Sequence, residues 1–142
     1  MRELHNNIKA IRAISPVAVG TTGTGQAGKI IDRQGYRGIE FIIGYGSITA
    51  TNATFTPVMK EGDATGTMTS VADGNLLGTE AAAGIAGAAT RTSGVSKNVT
   101  KRLGYRGYKR YVQIGIKSTV TAAVPVHADA ILFGPHTAPV AT

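Results

Sequence analysis

GIEFIIGYG (residues 38–46) and YKRYVQIGIKS (residues 108–118) share one pattern, and the class of fold turns on it. In the first, Ile39, Phe41 and Ile43 alternate with Glu40, Ile42 and Gly44. In the second, Val112, Ile114 and Ile116 alternate with Tyr111, Gln113, Gly115 and Lys117. Successive side chains of an extended chain point to opposite faces, so an apolar period of two marks a strand with one face in a core. Further strands are predicted at Lys29 to Asp32, Thr54 to Lys60, Met68 to Val71, Asn98 to Leu103 and Val126 to Phe133, with Gly, Asp and Asn punctuating the gaps. Pro57 has no N–H to give to a ladder, which places its strand at a sheet edge or a bulge.

Only two segments are open to a helical reading. Leu4, Ile8 and Ile11 have helical spacing, but NIKAIRAISPVAV fits an extended strand or arm equally well, and Pro16 stops a helix there. Glu80 to Gly94 is rich in Ala and Gly, and its glycines weaken a helix, so a surface loop or one short helical turn is expected.

Composition agrees with a compact β domain. The 142 residues suit one domain; 42% are hydrophobic, 16% are charged, and 19 are glycine, a folded and turn-rich composition. With no cysteine, disulfides and thiolate metal sites are excluded. No apolar run approaches the roughly 20 residues of a membrane helix, and MRELHNNIKAIRAI lacks the apolar stretch of a secretory signal. A soluble, unexported protein that does not engage membrane is the expectation.

An internal echo supports the all-β reading. RQGYRG at 33–38 recurs as RLGYRG at 102–107, each followed by a strand ending in I-G-x-x-S. Its glycines suit the positive backbone angles of a tight hairpin connection, and Tyr36 and Tyr105 can lay a ring over the sheet edge with the hydroxyl wet. Two equivalent hairpins fit a two-sheet sandwich. Arg37 and Arg106 would then project from the two tips, either as plain turn residues or as paired contacts for a partner.

Chemical motifs are weak by comparison. GTGQAGKIID (residues 23–32) carries Gly23, Gly25 and Gly28 at dinucleotide spacing and Gly28-Lys29 at phosphate-loop spacing. A phosphate loop needs Ser or Thr after its Lys, and both templates need a following helix. Here Ile30 follows, and the chain runs on into RQGYRG. TTGTGQAG therefore reads as a flexible joint. His5, His127 and His136 show no metal-ligand spacing. His127 and Asp129 share one side of a strand, without a serine in a nucleophile-elbow context. Asp63 and Asp73 lack calcium-loop spacing and read as turn residues. No catalytic set, cofactor, metal or small-molecule substrate is expected.

Net charge is +7, unevenly spread. Arg91, Lys97, Lys101, Arg102, Arg106, Lys109, Arg110 and Lys117 occupy a stretch without acids, while Glu61, Asp63, Asp73 and Glu80 cluster elsewhere. Such a block is either a nucleic-acid footprint, with Tyr105, Tyr108 and Tyr111 as candidate stacking rings, or a basic face that meets an acidic neighbour. Sheet packing is the stronger use for those tyrosines, so nucleic acid is not the expected partner.

The succession NIKAIRAISPVAV, IIDRQGYRG, PVMKEGD, LLGTE, GYRGYKRYVQIGI and AILFGPHTAP, over about residues 7–139, resembles a group of small proteins of tailed bacteriophages and related prophages, the capsid decoration or cement proteins. The matching positions are Ile14-Ser15-Pro16, Asp32 with Gly35 and Tyr36, Glu61-Gly62-Asp63, Gly78-Thr79-Glu80, Lys109-Arg110-Tyr111-Val112 and Gly134-Pro135. Pro57 and the alanine-glycine stretch after Glu80 depart from the pattern. The resemblance implies a single-domain β-sandwich, jelly-roll-like, made in the cytoplasm of the bacterial host and carried on the virion's capsid surface. Its partners would be the major capsid protein and itself, as a trimer or dimer.

On that reading residues 1–28 form an N-terminal arm and joint, 29–134 the body and 135–142 a short tail. Ile8, Lys9, Ile11, Arg12, Ile14 and Pro16 would grip the capsid, with Tyr36, Arg37, Tyr105 and Arg106 as further contact turns. A head-tail connector or tail-tube subunit needs similar parts, and copy number per particle separates it from a cement protein.

Overall fold

The computed structural model describes residues 3–19, 26–48, 53–86, 98–119 and 124–140. Nine strands are found among them: β1 (Ile8–Val19), β2 (Gln26–Asp32), β3 (Tyr36–Tyr45), β4 (Phe55–Gly62), β5 (Thr69–Ser70), β6 (Leu76–Leu77), β7 (Val99–Tyr105), β8 (Tyr111–Ser118) and β9 (Val124–Pro135). One helical turn, α1 (Glu80–Ala83), and two 3-10 turns, His5–Asn7 and Asp73–Asn75, complete the elements.

The pairing is nested. β1 pairs with β9, β2 with β8, β3 with β7 and β4 with β5, all antiparallel. The chain is thus doubled into one long ribbon with β4 and β5 at its tip. Rolling that ribbon sends successive pairs to alternate sheets, and the β3–β9 and β4–β8 ladders close it. The result is a five-stranded sheet, β1-β9-β3-β7-β6, facing a four-stranded sheet, β2-β8-β4-β5. This is a jelly-roll sandwich, with the two-residue β6 added beyond β7.

The two period-two stripes meet in its core. Ile39, Phe41 and Ile43 from one sheet and Val112, Ile114 and Ile116 from the other are each at most 1% exposed. Tyr45 and Phe55 add an aromatic contact between the sheets, with ring centroids 6.3 Å apart. Each such side chain, fully buried, contributes about 1.5–3 kcal/mol.

Pro57 sits where a missing N–H is tolerated. Within β4 the N–H groups of Phe55 and Met59 point away from β8, to the Ile85 carbonyl at 2.9 Å and the Glu80 carboxylate at 3.1 Å. Pro57, midway between them, would direct a donor to the same outer side, and β5 reaches only Lys60 and Glu61. The short helix α1 covers this edge, its N-terminus capped by Thr79 Oγ1, which accepts from the Ala82 N–H. One helical turn is what the alanine-glycine segment was expected to allow; residues 87–97 lie outside the described residues.

The expected N-terminal arm is instead strand β1, paired with β9 from Ile8 to Val19. Register shifts between Arg12 and Ile14 and between Ile14 and Val17 break the alternation. Bulges of this kind re-aim side chains, and here Ala13 and Ile14 turn inward together, 4% and 2% exposed. The body therefore begins at Ile8, not at Lys29. Of the expected joint, residues 20–25 lie outside the described residues, while Gln26, Ala27 and Gly28 open β2.

Gly28, common to both nucleotide-binding templates, has a packing reason. A Cβ there would run into the Ile114 carbonyl oxygen and stand 3.1 Å from the Ala13 carbonyl and from Ile14 Cγ1. Only glycine lets β1, β2 and β8 approach this closely. The expected short C-terminal tail is hydrogen-bonded to the body: the His136 N–H donates to Gly35 O at 2.8 Å and the Val140 N–H to Asn6 O at 3.1 Å.

Candidate functional site

The echoed segments meet at one corner of the sandwich. RQGYRG joins β2 to β3 and RLGYRG leads from β7 toward β8, so each crosses between sheets and neither is a hairpin. Since β2 pairs with β8 and β3 with β7, they are the two edges of one ribbon at the place where it rolls over. The copies are also not equivalent in conformation. Gly35 takes φ +87, whereas Gly104 lies inside β7 without a positive angle. What they do share is the final glycine under an aromatic ring: a Cβ on Gly38 would meet Phe133, and one on Gly107 would meet Tyr105.

Arg33 holds the corner. Its Nε donates to Lys109 O at 2.6 Å, its Nη2 to Gly107 O at 2.8 Å and its Nη1 to Arg37 O at 3.1 Å. Its guanidinium also lies 5.4 Å from the centre of the Tyr105 ring, a cation–π arrangement. A planar fork with five donors spreads over three separate carbonyls in a fixed geometry, which the compact ammonium of a lysine does not match. Beside it, Arg110 binds the Asp32 carboxylate through Nε and Nη2, the latter at 2.7 Å, and stands 4.9 Å over the Tyr111 ring. The Arg110 hydrogen bond, foremost, holds Asp32 below the usual carboxylate range. Lys109 Nζ reaches Asp63 at 2.5 Å, and that hydrogen bond raises the lysine's pKa.

Tyr105 is buried, contrary to the wet hydroxyl expected of it. Its hydroxyl donates to the Glu61 carboxylate of the opposite sheet and accepts from the Lys109 N–H at 3.0 Å. Burial, then the bond to Glu61, pushes its pKa up to about 12. An unfolded tyrosine ionises near about 10, so the stabilisation is complete below that pH and is lost as pH rises through the folded value. Thermal melts from neutral to strongly alkaline pH are expected to fall more steeply for the wild type than for Tyr105→Phe, in which only Tyr45, whose pKa burial also raises, still contributes.

Within this tied frame, Tyr108 is 96% exposed. Arg106 and Arg37 are exposed nearby: because Ile39 pairs with Tyr105, both emerge at the same end of neighbouring strands. The corner thus presents one large exposed ring, with exposed cations at the same end of the sheet, on a loop whose carbonyls Arg33 binds. Of the four residues expected to make contacts from the two turns, Arg37 and Arg106 are exposed, Tyr36 is half-buried, and Tyr105 serves the core.

The three tyrosines do not form a stacking row, since Tyr105 is buried and Tyr111 lies under Arg110. Much of the basic block meets acids of its own chain: Lys109 with Asp63, Arg110 with Asp32, and Arg102 near Glu40 at 3.9 Å. Arg91 and Lys97 lie outside the described residues. His127 covers Gly44 on the outer face of the larger sheet, with Asp129 on the same face. Among the described residues no group of three or more side chains is placed to hold a metal ion, and no helix is long and apolar enough to cross a membrane.

The residues expected in the arm are split by β1. Lys9, Arg12 and Pro16 are exposed, Ile8 and Ile11 are partly buried, and Ile14 belongs to the core. Sequence reasoning missed Arg33 and assigned Tyr108 to sheet packing, whereas Tyr108 stands in solvent. The echo aligns Arg33 with Arg102, a surface residue of β7, so nothing local marks the first as a clamp.

No family model matches the chain, and no curated protein does. Among solved structures, it is similar to the CBM22-1–GH10 modules of the N-terminal endo-1,4-β-D-xylanase 10B of Clostridium thermocellum, determined in complex with xylohexaose. The TM-score is 0.45 at 10% identity, over 93% of this chain and 27% of that one.

Proposed function

We propose that the chain is a structural virion protein that binds the outer surface of a tailed-phage capsid and cements neighbouring major capsid subunits, stabilising the expanded head. The observation that carries the protein-binding role is Tyr108, 96% exposed on a loop that Arg33 ties by its carbonyls. A rigid aromatic flanked by Arg is the side-chain chemistry of an interface anchor, and pre-organisation lowers the entropy lost on docking. The capsid as partner is supported by the sequence succession that resembles decoration proteins. A body whose first and last strands pair with each other, with Val140 bonded to Asn6, suits a clamp that bears load between subunits. Repetition over a symmetric shell, with the protein also contacting itself as a trimer or dimer, turns modest single contacts into firm retention.

Co-sedimentation with expanded capsids tests the proposal. Wild-type protein is expected to pellet with the shells. Tyr108→Ala is expected to weaken retention by about 30-fold, the size of a 2 kcal/mol hot spot, with an unchanged melting temperature. Undiminished pelleting of Tyr108→Ala removes the anchor, and failure of the wild type to pellet removes the capsid role.

A further inference from the structure

The roll leaves its two flanks unequal. On one, β5 and β6 are two residues each, and the β4 edge is covered by α1 and Ile85. On the other, β1 and β2 end their sheets side by side, and among the described residues no strand pairs with the outer edge of either, over 12 and seven residues. Between them runs a groove of about 350 Å³, with Ile11, Ile14, Val17 and Ala27 as its apolar lining and Arg12 and Lys29 as its charged groups. Long open edges are templates for another strand.

Charge selects what can be added. From Ile8 to Ile31 the chain has Lys9, Arg12 and Lys29 and no acid. Asp129 faces Arg12 across the ladder, yet the three ion pairs among the described residues lie elsewhere. Two copies brought together by these edges would set like charges against one another, which disfavours self-pairing.

The geometry points to this flank as an acceptor site for an extended, acidic segment of a different protein. That segment adds to the β1 or β2 edge by backbone hydrogen bonds, seats alternate apolar side chains in the groove, and places carboxylates against Arg12 and Lys29. The segment expected to donate an arm is thus the edge that receives one. The inference does not depend on the capsid reading.

The probe is a synthetic peptide of alternating glutamate and valine, mixed with the full chain, with the lysine–valine peptide of equal length as control. The glutamate–valine peptide is expected to bind and to slow amide exchange along β1 and β2. Its affinity is expected to fall at least about tenfold in the double variant Arg12→Glu, Lys29→Glu and on raising salt to about 1 M, where the screening length is about 3 Å. The lysine–valine peptide is expected not to bind. Arg12→Gln with Lys29→Gln replaces the reversal if the latter melts early.

Absence of exchange protection on β1 and β2, equal binding of both peptides, or unchanged affinity in the charge variants overturns the inference. So does dimerisation of the free chain through this flank, which would make a second copy the occupant. Capsid pelleting by a wild type that ignores the peptide leaves the cement role standing and removes this site alone.

Discussion

A chain lacking residues 1–16 is expected to lose cooperative folding. The truncation removes Ile8 to Ile14, six of the nine paired positions of the β1–β9 ladder, at roughly 0.5–1.5 kcal/mol net for each hydrogen bond lost. It also takes Ala13 and Ile14 out of the core, the isoleucine alone being worth about 1.5–3 kcal/mol. The sum is of the order of the whole stability of a domain, about 5–15 kcal/mol. The 12-residue β9 would become an open edge over most of its length, a template for aggregation. Circular dichroism melts and gel filtration check this outcome: a truncated chain that stays monomeric and melts within a few degrees of the wild type would show that β1 is dispensable.

Arg33→Ala is expected to lower the melting temperature by about 10 °C. Hydrogen bonds from a charged donor contribute about 1.5–3 kcal/mol each. Two of the three carbonyls stand at exposed positions where water can replace the guanidinium, so the net loss is about 2–4 kcal/mol, or roughly 3–4 °C per kcal/mol at this chain length. Arg33→Lys is expected to recover little, because an ammonium lacks the fork that spans Gly107, Lys109 and Arg37. The same variant loosens the loop that carries Tyr108, so capsid retention should drop even at temperatures where the body is folded. A normal melt combined with normal retention would show that the corner is held by other contacts.

These two residues and strands differ in how far they could be read from the chain. The strands containing Phe41 and Ile114 were legible because a period of two is a local property, set by the pleat of one extended segment. Pro57 was legible as an edge residue for an equally local reason, a missing donor. The N-terminal segment was not. Its alternation is interrupted where bulges bring Ala13 and Ile14 inward together, and a strand with broken periodicity looks like an arm until its partner β9, more than 100 residues away, is in place.

The corner was half legible. The echo RQGYRG and RLGYRG marked it, but a turn sequence does not say whether the strands on either side pair with each other or belong to opposite sheets. Here they belong to opposite sheets, so the expected hairpins are two edges of one crossing, and Tyr105 is drawn inside to meet Glu61. The basic block shows the same limit. Lys109 and Arg110 look unopposed along the chain because Asp63 and Asp32 are 46 and 78 residues away, and folding brings each into contact.

By itself, the sequence determined that this is a one-domain all-β protein with two amphipathic strands facing a shared core, because alternation, turn residues and composition act over a few neighbouring positions. Only the tertiary structure decided which segments are edges, which cations remain free and which tyrosine is presented. Those properties belong to pairings between distant parts of a doubled ribbon, and the rolling of that ribbon, not any local preference, leaves β1 and β2 open while it buries Tyr105 and exposes Tyr108.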